Sequence, residues 1–202
     1  MRTALAAIGL LALGGCATTP LSGPVDVLRY HLDGPLAKGT VAVQPLSAAD
    51  EVSVDYRAYA NAVQSELAAV GYAPAASSQA AEFLATVSFR REGRGLVERQ
   101  SPVSVGIGGG SFGGGRRGGG VGVGGGVNFP IGRGQTSEIV ATELSVQLRG
   151  KGAAGSVIWE GKASTQADER APDARHEVAA GKLARALFSG FPGESGRTIT
   201  VK

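Results

Sequence analysis

Few side chains among these 202 residues carry the chemistry of a reactive site: one cysteine, Cys16, two histidines, His31 and His176, and a few paired acids. Covalent hydrolysis needs a nucleophile with a base beside it, usually histidine. His31 falls on the polar side of an alternating stretch and His176 near the start of a helical one, and neither spacing supplies a nucleophile. Ser195 sits in Gly193-Glu194-Ser195-Gly196, which lacks the Gly-x-Ser-x-Gly spacing of a nucleophile elbow and follows a helix instead of separating strand from helix. A metal site needs several converging ligands, which isolated histidines do not provide. Asp50-Glu51 and Asp168-Glu169 stand in polar stretches, where solvation is the simplest reading. Gly108-Gly109-Gly110-Ser111-Phe112-Gly113 matches G-x-G-x-x-G by letter, but no Gly-Lys-Ser/Thr and no following helix accompany it. Trp159 beside Glu160 reads as a core aromatic on an amphipathic strand. The expectation is a non-enzymatic chain without a metal or a dissociable cofactor.

Cys16 stands apart because its surroundings have a pattern. Arg2, the apolar run from Ala4 to Leu13, and then Gly14 and Gly15 have the anatomy of a secretory leader. Ten residues of helix rise about 15 Å, half of a ~30 Å hydrocarbon core, so the run is too short to span a membrane. Leu13-Gly14-Gly15-Cys16 resembles the lipobox of bacterial lipoproteins. That resemblance implies diacylglycerol on the Cys16 thiol, cleavage between Gly15 and Cys16, and an N-acyl chain on the new amino terminus. Two or three acyl chains, at about 0.8 kcal/mol per buried methylene, hold a protein at a membrane effectively permanently. Ala17 follows the cysteine, with no Asp beside it. By resemblance to the sorting rule of many Gram-negative bacteria, this favours the outer membrane, with the domain facing the periplasm.

The elements behind this anchor read as one domain. Residues 1–15 form the leader, 16–24 a short tether with two prolines, and 25–202 an α+β domain. Losing Arg2 with the leader takes the formal charge from +3 to +2, and the basic residues are scattered, so no nucleic-acid-binding face emerges. With one cysteine, no disulfide forms within the chain, and stability must come from packing. In 25–32, Leu28, Tyr30 and Leu32 share one face and Arg29 and His31 the other, which is strand periodicity. A second strand over 39–45 is expected to pair with it through a short connection. Tyr56, Ala60, Val63, Leu67 and Val70 make a helix stripe, with Ser53 or Asp55 as cap and Gly71 as terminator. Strands follow over 82–90, 140–149 and 156–165, then a helix over 173–191 with Pro172 in its first turn, and a short final strand or tail over 197–202. One-faced strands and helices predict a two-layer sandwich: an antiparallel or mixed sheet with two helices on one face.

Residues 93–134 break this composition, holding 18 of the 33 glycines. Eight of their apolar residues, Val103, Val105, Ile107, Val121, Val123, Val127, Phe129 and Ile131, stand at odd positions. Two glycine-faced strands joined across 113–120 would give that alternation, and a flexible linker is the competing reading, because glycine loses the most freedom on ordering. Phe112, Arg116 and Arg117 at the tip are the candidate partner contacts of this excursion.

Several segments together resemble one family: the lipobox, Val-Leu-Arg-Tyr-His-Leu at 27–32, Leu-Ala-Ala-Val-Gly-Tyr at 67–72, and Ala-Glu-Phe-Leu-Ala-Thr-Val-Ser-Phe at 81–89. The glycine-rich insert, Val-Ile-Trp-Glu-Gly at 157–161 and Leu-Phe-Ser-Gly-Phe-Pro-Gly at 187–193 extend the likeness. It is to the bacterial envelope lipoproteins grouped as domain of unknown function 4136. The resemblance implies a small α/β domain facing the periplasm and brings no catalytic residues. The expected function is an outer-membrane lipoprotein that acts through contacts with an envelope protein partner. The alternative is a carrier holding a small apolar ligand, such as a phospholipid, in a cavity between sheet and helices. An enzyme of envelope turnover would require His31, His176 and an acid to converge.

Overall fold

The computed structural model describes residues 20–32, 34–47, 53–99, 104–107, 127–130, 135–151 and 155–202. The elements are β1 (Ser22–His31), β2 (Thr40–Pro45), α1 (Val54–Ala69), β3 (Ala73–Pro74), β4 (Phe83–Arg99), β5 (Ser104–Ile107), β6 (Val127–Pro130), β7 (Gln135–Gly150), β8 (Val157–Asp168), α2 (His176–Phe188) and β9 (Thr198–Val201). Seven strands form a mixed sheet in the order β3-β2-β4-β7-β8-β1-β9. The protein is therefore α+β, with two α-helices among the described residues.

The expected β1–β2 hairpin is not there. β1 pairs antiparallel with β8 and β9, while β2 lies near the other edge, parallel to β4 and β3. The reason is α1. A strand followed by an amphipathic helix and another strand returns parallel to the first, so β2, α1 and β4 form a crossover unit that takes β2 away from β1. The first helix otherwise follows its stripe: Tyr56, Val63 and Leu67 are buried, and Tyr59 joins them. Ser53 caps it by accepting from the Tyr56 amide at 3.4 Å. Gly71, at φ +98°, takes the left-handed position that ends it.

β4 and β7 run further than their alternation suggested. They pair from Phe83↔Gly150 to Arg99↔Gln135, with an irregularity between Gly93 and Leu96. β2 accompanies β4 only from Phe83 to Val87, and β8 accompanies β7 only as far as Ile139, so the two long strands continue past their neighbours as a ribbon. Beyond it, Ser104–Ile107 pairs antiparallel with Val127–Pro130. The residues that join these two segments lie outside the described residues.

The main core gathers side chains from both helices and from β1, β2, β4, β7 and β8, and a small second cluster joins Ala167, Ala171 and Ala174. Ala85, Val87, Leu144, Val146, Leu148, Trp159 and Ala163 point into it from the sheet, and Ala180, Leu183, Ala184 and Leu187 from α2. Pro172 opens a 3-10 turn over Pro172–Ala174 instead of the helix itself, which begins at His176. On β1 the inward face is the reverse of the expected one. Val25, Val27 and Arg29 are buried, whereas Tyr30 is 54% and Leu32 58% exposed.

Trp159 explains one glycine. Its indole stacks on Phe188 and leans on Phe191, with ring centroids 5.4 Å and 5.2 Å away, and its Nε1–H donates to the Pro192 carbonyl at 3.0 Å. The ring folds across Gly161, two residues along the same face of β8, to reach Leu187. A Cβ on Gly161 would stand 2.5 Å from the indole and 2.8 Å from the Leu187 side chain. Gly161→Ala is expected to lower unfolding free energy by about 1–3 kcal/mol through overpacking, as measured by urea denaturation. A stability within experimental error of the parent would contradict this packing.

Candidate functional site

Cys16 with Gly15 before it, and Phe112, Arg116 and Arg117, lie outside the described residues, as do Asp50 and Glu51. The remaining candidates are placed, and they do not come together. His31 ends β1, where its Nδ1 lies 3.0 Å from the Leu32 carbonyl and its Nε2 3.1 Å from the Gly193 carbonyl. Ser195 is nearby, but its Oγ accepts from the His31 backbone amide at 3.2 Å and is not engaged by the imidazole. His176 begins α2, whose opposite end lies beside β1. Thirteen helical residues rise about 20 Å, so the two histidines stand at opposite ends of the helix layer.

His176 does meet an acid that the sequence reading did not pair with it. Its Nε2 is 3.5 Å from Asp55 Oδ2, which joins the first turns of α2 and α1. The ring stands edge-on to Tyr59 and Phe89, and those two rings stack with centroids 4.4 Å apart. The Tyr59 hydroxyl and His176 Nδ1 are buried with no hydrogen-bond partner among the described residues. Burial pushes the Tyr59 hydroxyl up to about 12, with Arg91 opposing and Asp55 and Glu177 adding to the shift. Tyr59 has no exposed surface. A phenol that stays protonated and meets no solvent cannot attack a substrate, so this cluster braces two helix starts.

Asp168 corrects the expectation of a solvated acid, being 1% exposed at the end of β8. Its Oδ1 accepts from the Arg170 amide at 3.0 Å and the Arg170 Nε at 3.3 Å. The Ser137 hydroxyl and then the Arg170 amide lead the influences holding this carboxyl down at about 2, against the opposing effect of burial. Arg170 also donates to Ser137 Oγ at 2.6 Å, closing a small network over the β7–β8 end. The arrangement fixes a turn and presents no free base.

The side of the sheet away from the core is an open surface. A cleft of about 400 Å³ runs over it between Leu46 and Lys162, lined by Thr86, Ser88, Arg90, Glu143, Ser145, Gln147 and Glu160. Its charges are of both signs, Arg90 and Lys162 against Glu143 and Glu160, and no histidine or cysteine stands in its lining. Among the described residues, no group of three or more His, Cys, Asp or Glu side chains is placed to hold a metal ion. No described helix is long and apolar enough to cross a membrane.

Sequence reasoning also missed Arg29, which is 3% exposed. Its Nε donates to the Leu187 carbonyl and its Nη2 to those of Ala186 and Ser189, each at 2.9 Å. Burial lowers its pKa from the usual guanidinium value. A signal was present: Arg29 continues the i, i+2 series of Val25 and Val27, and a cation suits the carbonyl end of a helix.

Asp168 generates a pH test. Its folded pKa is depressed, so its stabilising effect is complete above the unfolded value near 3.9 and disappears as pH falls through about 2. Asp168→Asn should therefore be less stable than the parent at pH 7, and the gap should close between about pH 4 and pH 2 in denaturant titrations. A pH-independent gap would contradict the network.

Against known proteins, residues 39–193 match the family described as Domain of unknown function (DUF4136). An uncharacterized protein of Zymomonas mobilis subsp. mobilis is 29% identical over 223 aligned positions, covering 92% of this chain and 84% of that protein. Among solved structures, a PDZ domain protein from Parabacteroides distasonis superposes with a TM-score of 0.49 at 12% identity. The match covers 90% of this chain, which spans only 38% of that one. The PelC dodecamer of Paraburkholderia phytofirmans gives a TM-score of 0.41 at 12% identity, over 84% of this chain and 99% of that one.

Proposed function

This chain belongs to the family described as Domain of unknown function (DUF4136), and we propose that it is a non-enzymatic outer-membrane lipoprotein acting through protein contacts in the periplasm. The observation that carries this reading is Leu13-Gly14-Gly15-Cys16, which sets the chain's one cysteine directly behind a short apolar leader. Diacylglycerol and an N-acyl chain on Cys16 would hold the domain at the membrane. β1 begins at Ser22, three residues before the expected domain boundary, so from Cys16 an extended tether reaches roughly 20 Å at about 3.3 Å per residue and its partners lie close to the membrane.

In this reading the domain is a two-layer sandwich with both helices on one face, and the glycine-rich tract is a hairpin or loop excursion. The main core shared by both helices supports the first part. The ribbon of β4 and β7, followed by the paired segments 104–107 and 127–130, supports the second. Phe112, Arg116 and Arg117 are the contact residues proposed for the excursion. The separation of His31 from His176 and the sealing of Tyr59 favour recognition over catalysis. Trp159, Phe188 and Phe191 pack together in the sheet–helix space, which argues against an apolar ligand held there.

Deleting residues 106–126 should leave the thermal unfolding midpoint within a few degrees of the parent and abolish the protein's crosslinks to envelope partners in intact cells. Crosslinks that survive the deletion would sink the contact role of the excursion.

A further inference from the structure

The outer edge of the sheet, far from the ribbon, offers a second surface. β9 is an edge strand: it pairs with β1 through Val25↔Val201 and Leu28↔Thr198, and among the described residues nothing pairs with its other side. Alternate residues of an antiparallel strand direct their N–H and C=O groups away from its neighbour, so this edge presents unpaired backbone. Thr200 faces away from the helices, bonded to Asp26 at 2.7 Å. Val201 lies opposite the inward-facing Val25 and therefore faces α2. Between β9 and α2 runs a groove of about 600 Å³, with Val25, Val178, Ala186 and Val201 as its apolar lining.

Gly181 stands in the wall of that groove, in the middle of α2. A glycine in a helix interior costs about 1 kcal/mol relative to alanine. Here nothing lies within 4 Å of the position its Cβ would occupy, and its φ is not in the left-handed region. Neither packing nor backbone geometry calls for the glycine. What a side chain there would obstruct is the groove.

Charge selects the occupant further. Lys182 is taken up by Asp173 at 2.6 Å and by the Gly23 carbonyl at 2.7 Å. Arg185 and Lys202, which also line the groove, make no ion pair among the described residues, and Glu177 is the acid that opposes them. We infer that an extended peptide segment of a partner protein adds to β9 as an eighth strand, placing alternate apolar side chains against Val178 and Val201 and an acidic residue near Arg185 and Lys202. Backbone pairing would supply affinity and the groove would supply selectivity. The inference needs neither the Cys16 anchor nor the glycine-rich excursion, so its failure would leave the proposed function standing.

The test uses the full chain in detergent micelles and a fluorescein-labelled octapeptide of alternating valine and threonine with an aspartate at each end. Its fluorescence anisotropy should rise saturably with protein. The same peptide methylated at every backbone nitrogen should bind at least tenfold more weakly, because it cannot pair with an edge. Gly181→Phe should also bind at least tenfold more weakly, while its melting temperature stays at or above the parent's, since phenylalanine is the better helix former. Absence of binding, or equal binding by the methylated peptide, would overturn the inference whatever the variant does. Equal binding by a folded Gly181→Phe would overturn it too. Self-association removed by Gly181→Phe without peptide binding would assign the groove to a second copy, and co-purified phospholipid lost in that variant would assign it to lipid; either outcome excludes the peptide.

Discussion

One buried guanidinium ties the strand layer to the helix layer. Arg29 has no carboxylate at hand among the described residues, and a cation taken out of water without partners would cost several kcal/mol. What it has is the C-terminal end of α2, where three carbonyls accept from it at 2.9 Å. That end carries the negative pole of the helix, so the charge and the orphaned carbonyls satisfy one another. The contact fixes where α2 ends relative to β1, and through β1 the positions of β8 and β9. The following loop also closes over it. Gly193, at φ +87°, passes where any Cβ would strike the Arg29 side chain, and the Pro192 carbonyl receives the Trp159 indole.

Around this clasp the molecule divides into a rigid centre and outlying surfaces. The centre is the β1–β8–β7–β4 sheet under two helices, closed at the other end by the His176–Asp55 contact and the Tyr59–Phe89 stack. Arg29 and Asp168 are hydrogen-bonded there, and the Tyr59 hydroxyl is enclosed by packing. The outlying parts are the ribbon of β4 and β7, the mixed-charge outer sheet face, and the β9 edge with its groove. A packed centre with outlying margins holds contact segments at fixed spacing, an arrangement suited to binding.

Much of this was legible in the residues, for identifiable reasons. α1, β4 and β7 each carry one uninterrupted apolar face, so period alone reveals them and names Val63, Leu67, Val87, Leu144 and Leu148 as core. β1 defeated the same reasoning. Arg29 looks like a solvent-facing residue until α2's carbonyls are known, and Tyr30 and Leu32 look like core although they stand outside it. Pairing was illegible for a different reason: a short link between strands suggests a hairpin, and only the crossover through α1 sends β2 to β4. Asp168 was misread because what holds it is the turn it forms, through the Arg170 amide, and the nearness of Ser137 on another strand, to which Arg170 also donates. Of the candidate site, the motif at Cys16 was legible from spacing alone, whereas the His176–Asp55 contact joins residues 121 positions apart (176 less 55).

The proposed function depends most on the thiol at Cys16, because a lipid anchor there would decide which partners the domain can meet. Trypsin does not cut between Cys16 and Arg29, so one N-terminal peptide of the protein isolated from membranes reports directly on processing. Mass spectrometry of that digest should find a peptide that begins at Cys16, ends at Arg29, and carries diacylglycerol with an additional acyl chain. A peptide that retains residues before Cys16 and a bare thiol would contradict the account.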